Sequence, residues 1–207
     1  MGSISIIGAG NMASAIGTLA LQGGNTVEIV SRDAARGAAL AQALGNGATA
    51  GTWGAAPAGD IVILAVLFES AVEIVTEYGE ALAGRILVDI TNPFNATGTG
   101  LAISHDTSVA ELVAQAAPAS AQIVKAFNTL FRDVLAAGGR DVFLAGDDEG
   151  AKATVSTFIA SLGHRPRDVG DLSMAHWLEG AGLLEMGLAR NGLGFTISLS
   201  VDVSGVQ

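Results

Sequence analysis

The chain has 207 residues, half of them apolar and only 14% charged, with a formal net charge of −10. That length suits one domain, or one domain with an appendage, and the apolar half can build a substantial core. The acidic balance argues against nucleic acid or anionic membrane as a partner, and the absence of cysteine excludes disulfides, thiolate catalysis and cysteine-ligated metal.

Glycine is abundant (28 residues) and proline scarce (4), a balance that points to many turns in a compact fold. No charged leader precedes the first apolar run, and the longest such run, Ile61 to Phe68, is too short to span a bilayer. The chain therefore reads as soluble and cytoplasmic, without a membrane partner.

In chain order, Ser3–Ile7 reads as a buried strand and Asn11–Leu21 as a helix of small and apolar residues. Thr26–Val30 is a second strand, followed by a helix over Asp33–Leu44 with Asp33 as its N-cap. A short strand is expected at Ala48–Thr52. The run "DIVILAV" (Asp60–Val66) has the continuous apolar character of a strand covered on both faces. Helices are expected at Glu69–Leu82, Val109–Ala116 and from about Asp148 to Leu162, and strands at Arg85–Ile90, Gln122–Ala126 and Val142–Gly146. This alternation predicts an α/β fold with a parallel, doubly wound sheet. Leu172–Arg190 reads as one long helix with Asp171 as its cap, followed by a glycine-rich tail. The expected organisation is one doubly wound unit over 1–170, with the C-terminal helix and tail, 171–207, packed on it.

Between the first strand and helix stands G-x-G-x-x-A, formed by Gly8, Gly10 and Ala13. In a dinucleotide site the first glycine permits the tight turn and the second lets backbone approach a pyrophosphate. The small third residue lets helix and strand pack closely. The free N–H groups of the helix start, at Asn11, Met12 and Ala13, then face the anion. A purely structural turn is the alternative reading. The end of strand two separates the two. An NAD site places a carboxylate there for the ribose hydroxyls, whereas this chain has Ser31 and Arg32, with Arg36 one turn further on. A hydroxyl and two guanidinium groups suit a 2′-phosphate, which favours NADP(H) over NAD(H). Two of only eight arginines fall here, which argues against a merely solvated helix start.

Ligands in such sheets lie at the carboxyl ends of the strands. Those ends carry Ala65, Val66, Leu67 and Phe68 after strand four, and Thr91, Asn92 and Pro93 after strand five. Asn92 can bond a nicotinamide carboxamide or cap its loop. Asn128, Thr129 and Leu130 follow the next strand and, with Phe68, are the candidate lining of an acceptor pocket, while Phe127 reads as core. No acid–base or metal-ligating constellation emerges. His176 and Glu179 share a helix face and read as a surface or satisfied pair. Hydride transfer between stacked rings needs orientation and proximity more than a proton donor.

Three segments, "ISIIGAGNMASAIG…VEIVSRDAARGAAL", "IVKAFNTL" and "VFLAGDDEGAKATVSTFIASLGHRPRDVGDLSMAHWLEGAG", together resemble the NADP-dependent deazaflavin-coenzyme oxidoreductase family. The cytosolic domains of six-transmembrane ferric reductases are similar over the same segments. The resemblance implies a Rossmann-like domain with a small C-terminal helical extension. It implies NADP(H) along the glycine turn, with Ser31, Arg32 and Arg36 on the 2′-phosphate, and a homodimer with the last helix near its interface. It also implies si-face hydride transfer to 8-hydroxy-5-deazaflavin (coenzyme F420) or a flavin such as FMN. The family usually carries Pro where this chain has Leu67, and often His where it has Asn128. A quinone or ferric chelate as acceptor, or a non-catalytic NADP(H)-binding regulatory protein, are the alternative functions.

Overall fold

A computed structural model of the chain describes residues 2–45 and 47–202; residues 203–207 of the expected tail lie outside them. The elements are β1 (Ser3–Ile7), α1 (Asn11–Gln22), β2 (Thr26–Val30), α2 (Ala34–Leu44), β3 (Ala48–Ala50), β4 (Ile61–Leu64), α3 (Phe68–Tyr78) and β5 (Ile86–Asp89). There follow α4 (Val109–Ala116), β6 (Gln122–Ala126), α5 (Arg132–Ala136), β7 (Asp141–Gly146), α6 (Glu149–Ser161), β8 (Arg165–Asp168) and α7 (Ala175–Leu188). Asp33 caps α2, its Oδ1 accepting from Arg36 N at 3.1 Å.

The strands form one sheet in the order β3-β2-β1-β4-β5-β6-β7-β8. β1 and β4 lie in its interior and are buried on both faces, because helices cover both. Ile4, Ile6, Ile61 and Ile63 pack into the core beneath α1, while Ile7, Val62 and Leu64 pack into the core on the opposite face beneath α3. The order reverses direction between β1 and β4, and a crevice opens there at the carboxyl ends of the strands, where such sheets bind ligands.

Four expectations are corrected. The sheet is mostly, not wholly, parallel: β7 runs antiparallel to β6. The connection between them holds only the five-residue α5. Its rise of roughly 7.5 Å cannot carry the chain back along a strand of roughly 17 Å, so β7 starts at the end where β6 stops. β8 (Arg165–Asp168) was not expected, since "RPRD" has no apolar signal; it is an edge strand, where polar residues and Pro166 are tolerated. The helix expected over Glu69–Leu82 ends at Tyr78, because Gly79 turns left-handed at φ 46°, and a 3₁₀ turn follows. The long C-terminal helix is likewise divided. Asp171 caps a 3₁₀ turn at Leu172–Met174 through Ser173 N, α7 follows, and non-helical Asn191 and Gly192 end the run.

α7 packs against α4 and β7. Among the described residues, no helix is long and apolar enough to cross a membrane.

Candidate functional site

The glycine turn is built as its residue types require. Gly8 has φ 128°, and a Cβ there would sit 2.1 Å from the Ala65 carbonyl oxygen, so only glycine fits between β1 and β4. Its N–H donates to the Val30 carbonyl at 2.8 Å, which ties the turn to the end of β2. Gly10 is the opposite case: it has ordinary extended backbone, and a Cβ there would meet nothing within 4 Å. Its missing side chain leaves open space in front of α1. No side chain caps that helix, so its first N–H groups are free for an anion. Ala13 lies fully buried behind the turn, where α1 meets the sheet.

The turn forms one wall of a cleft of about 790 Å³. Gly8, Gly10, Asn11 and Met12 line it on this side, and Ser31, Arg32 and Arg36 line it at the end of β2. Ala65, Val66, Leu67 and Phe68 contribute from the end of β4, and Thr91 and Asn92 from the end of β5. Thirteen of the residues singled out in the sequence thus meet around one space. Among the described residues, neither Arg32 nor Arg36 has a carboxylate partner. Glu28, the carboxylate of β2, turns away from the cleft and accepts from Ser5 Oγ and from Ala58 N.

Pro93, Asn128, Thr129 and Leu130 are buried and do not line the cleft. The last three were expected in an acceptor pocket; the structure buries them, and the backbone explains why. Phe127 takes a left-handed conformation at φ 62°, a strained state for a bulky residue, and the turn it makes folds the next residues inward. Phe127 itself is fully buried and meets Phe158 edge-on. Asn128 then reaches α7 and the segment after β5: its Nδ2 donates to the Leu178 carbonyl at 2.8 Å and to Asn92 Oδ1 at 2.9 Å. Asn92 Nδ2 donates back to the Asn128 carbonyl at 2.7 Å. Asn128 therefore braces a residue of the cleft from behind. Gly182 of α7 makes room for this pair, since a Cβ there would lie 2.8 Å from Asn92 Oδ1.

Sequence reasoning missed a buried charge cluster under the floor of the cleft. Lys125 Nζ donates to Asp89 Oδ2 (2.8 Å), Glu179 Oε1 (2.7 Å) and the Thr91 carbonyl (2.7 Å). All three charged side chains are fully buried. Burial pushes the Glu179 carboxyl above the usual carboxylate range, against the opposing pull of Lys125. This also corrects the expected pairing of His176 with Glu179. Glu179 turns into the core, while His176 places its Nδ1 3.2 Å from the Thr107 carbonyl and packs near His105 and Trp177. The available signal was a charged residue inside each of two apolar strands, "LVD" and "IVKA". Trp53, which lines the cleft beside Arg32, was also missed.

The chain is similar to known proteins in sequence and in fold. The family model for NADP oxidoreductase, coenzyme F420-dependent, matches residues 3–93. The chain is 32% identical to the metalloreductase STEAP3 of Rattus norvegicus over 180 residues, which is 85% of this chain and 35% of that protein. It is 33% identical to the F420-dependent NADP reductase of Methanocaldococcus jannaschii over 144 residues, 65% of this chain and 64% of that one. The chain thus spans about a third of the rat relative and just under two thirds of the archaeal one. Among solved structures, an Arthrobacter protein provisionally described as an F420-dependent NADP reductase superposes with a TM-score of 0.85. It is 27% identical, over 98% of this chain and 100% of that one.

Proposed function

We propose that this chain, which in fold and sequence matches the family of F420-dependent NADP reductases, is an NADP(H)-dependent oxidoreductase that exchanges a hydride with a deazaflavin or flavin-type ring. One observation carries the reading. The uncapped start of α1 and the carboxylate-free end of β2, with Ser31, Arg32 and Arg36, face the same cleft.

The residues present fit the dinucleotide. The N–H groups of Asn11, Met12 and Ala13, with the open space at Gly10, would hold the pyrophosphate. Ser31, Arg32 and Arg36 would hold the 2′-phosphate through charge-assisted hydrogen bonds. Ala65, Val66 and Leu67 on one side, and Thr91 and Asn92 on the other, would flank the nicotinamide. When bound, NADPH supplies the hydride; the chain's part is to orient two flat rings and keep water from between them. Leu67 and Phe68 suit that task. Leu67 is 76% exposed at the lip of the cleft, an apolar surface awaiting an apolar neighbour.

The proposal extends to a homodimer joined through α7, which exposes the apolar side chains of Trp177, Leu184 and Leu188. Light scattering on the intact chain tests that part. The cytoplasm is the proposed compartment, consistent with a chain that carries no cysteine.

The test of function is NADPH oxidation by the purified protein against F420, FMN, a quinone and a ferric chelate. Turnover with F420 or FMN supports the reading. Turnover confined to the quinone or the chelate would reassign the acceptor, and saturable NADPH binding with no turnover at all would leave a binding protein.

A further inference from the structure

Trp53 reaches the cleft from the loop after β3, and two features fix the course of that loop. Gly51 N–H donates to the Ile29 carbonyl at 2.9 Å. A Cβ on Gly51 would fall 2.5 Å from Glu28 Oε1 and 2.8 Å from Val30 Cγ2, so the loop lies directly against the end of β2. The indole that follows is held from two sides. Its Nε1 donates to Glu77 Oε1 at 2.6 Å, and its ring meets that of buried Tyr78 edge-on at 5.4 Å between centroids. Over the ring lies the guanidinium of Arg32, with Cζ 5.2 Å from the ring centroid.

We propose that Trp53 is a positioning residue that sets the preference of this cleft for 2′-phosphorylated dinucleotides, by presenting Arg32 in a fixed orientation. The proposal rests on the NADP(H) reading given above. A free arginine at a surface samples many rotamers, and part of that freedom is lost when it grips a phosphate. A guanidinium lying on an aromatic face has surrendered part of that freedom beforehand. The ring holds the guanidinium without cancelling its charge or engaging its N–H donors in the bidentate way of a carboxylate. A carboxylate partner would occupy those donors and cancel the charge, and among the described residues Arg32 has none. Trp53 is in turn anchored by Glu77 and Tyr78 of α3, so the platform does not depend on the ligand for its position.

The probes are the two adenosine fragments, 2′,5′-ADP and 5′-AMP, titrated calorimetrically into the wild-type chain, Arg32→Ala, Trp53→Leu, Trp53→Phe and the Arg32→Ala/Trp53→Leu double variant. Trp53→Leu should lose about tenfold in affinity for 2′,5′-ADP while binding 5′-AMP as before. Trp53→Phe, which keeps an aromatic face, should recover most of the loss. In the double variant Trp53→Leu should add nothing to Arg32→Ala, because the two residues act as a unit.

Equal loss for both fragments would mean that the indole serves adenine or the fold, and would overturn the proposal. So would fully additive losses, or wild-type selectivity in Trp53→Leu. If the wild-type chain binds the two fragments equally, the 2′-phosphate reading itself fails and takes the proposal with it. A wild-type preference that Trp53 variants leave untouched removes the proposal alone.

Discussion

Lys125 and Glu179 meet at 2.7 Å with both side chains fully buried, and Asp89 joins the same ammonium at 2.8 Å. The group ties β5, β6 and α7 together directly beneath Thr91, whose carbonyl also accepts from Lys125. Replacing one partner of a buried ion pair leaves an uncompensated charge, which costs far more than the pair's net worth. Lys125→Met should therefore destabilise the chain by about 3–5 kcal/mol at pH 7 in urea denaturation. The deficit should shrink as pH falls, because burial already pushes the Glu179 carboxyl up and its protonation removes one of the stranded charges. A variant as stable as wild type would mean that the buried group is not ionised as described.

The two glycines of the turn should respond in opposite ways. Gly8→Ala forces a Cβ onto the Ala65 carbonyl at a left-handed φ, and should cost more than about 2 kcal/mol of stability. Gly10→Val meets open space and ordinary backbone, so it should fold with nearly unchanged thermal stability. Its side chain fills the proposed pyrophosphate cradle, and affinity for NADPH and NADH should fall together by about tenfold or more. Thermal melts and dinucleotide titrations of both variants check this.

Arg32→Ala separates the cofactors. It should weaken NADPH by roughly 1–3 kcal/mol, as the loss of a charge-assisted pair does, and leave NADH nearly unchanged. Equal losses for both would remove the 2′-phosphate assignment.

Glu185 offers a pH prediction. Burial on α7 pushes its carboxyl up to about 7, with the Leu199 N–H donating to Oε1 at 2.9 Å and pulling the other way. A carboxyl whose folded pKa is raised binds its proton more tightly in the folded chain. The stability it contributes is therefore present below its ordinary pKa of 4.5 and is lost as pH rises toward about 7. Glu185→Gln keeps a carbonyl for Leu199 and cannot ionise. It should be more stable than wild type at pH 8 by roughly 1–3 kcal/mol, with the difference vanishing below pH 5. Parallel stability curves for the two proteins across that range would contradict the assignment.

Much of the frame was legible because each level of the sequence agreed with the next. Apolar runs marked β1, β2, β4 and β6, and Asp33 marked the start of α2. Gly8, Gly10, Ser31, Arg32 and Arg36 could be read as neighbours because strand ends in such a sheet share one rim. The rest depended on directions that composition does not encode. That Asn128 follows a strand is visible in the sequence; that Phe127 turns left-handed and sends it inward is not. A polar strand such as β8 carries no periodic signal, because its edge position frees it from burial. Glu179 looked like the partner of His176 because helical spacing reports which residues share a face, and the convergence of two strands and a helix on Lys125 is a tertiary fact. Trp53 was hidden for the same reason, since its meaning comes from Arg32, 21 residues away.

The proposed reaction is direct hydride exchange between NADPH and a deazaflavin or flavin-type ring in this cleft. It is tested most directly by a single turnover of the wild-type chain with F420 and NADPH deuterated at the transferred C4 position. Direct transfer leaves reduced F420 carrying deuterium at C5, where the label does not exchange with water. No transfer, or a reduced product labelled only when the solvent is deuterated, would contradict it.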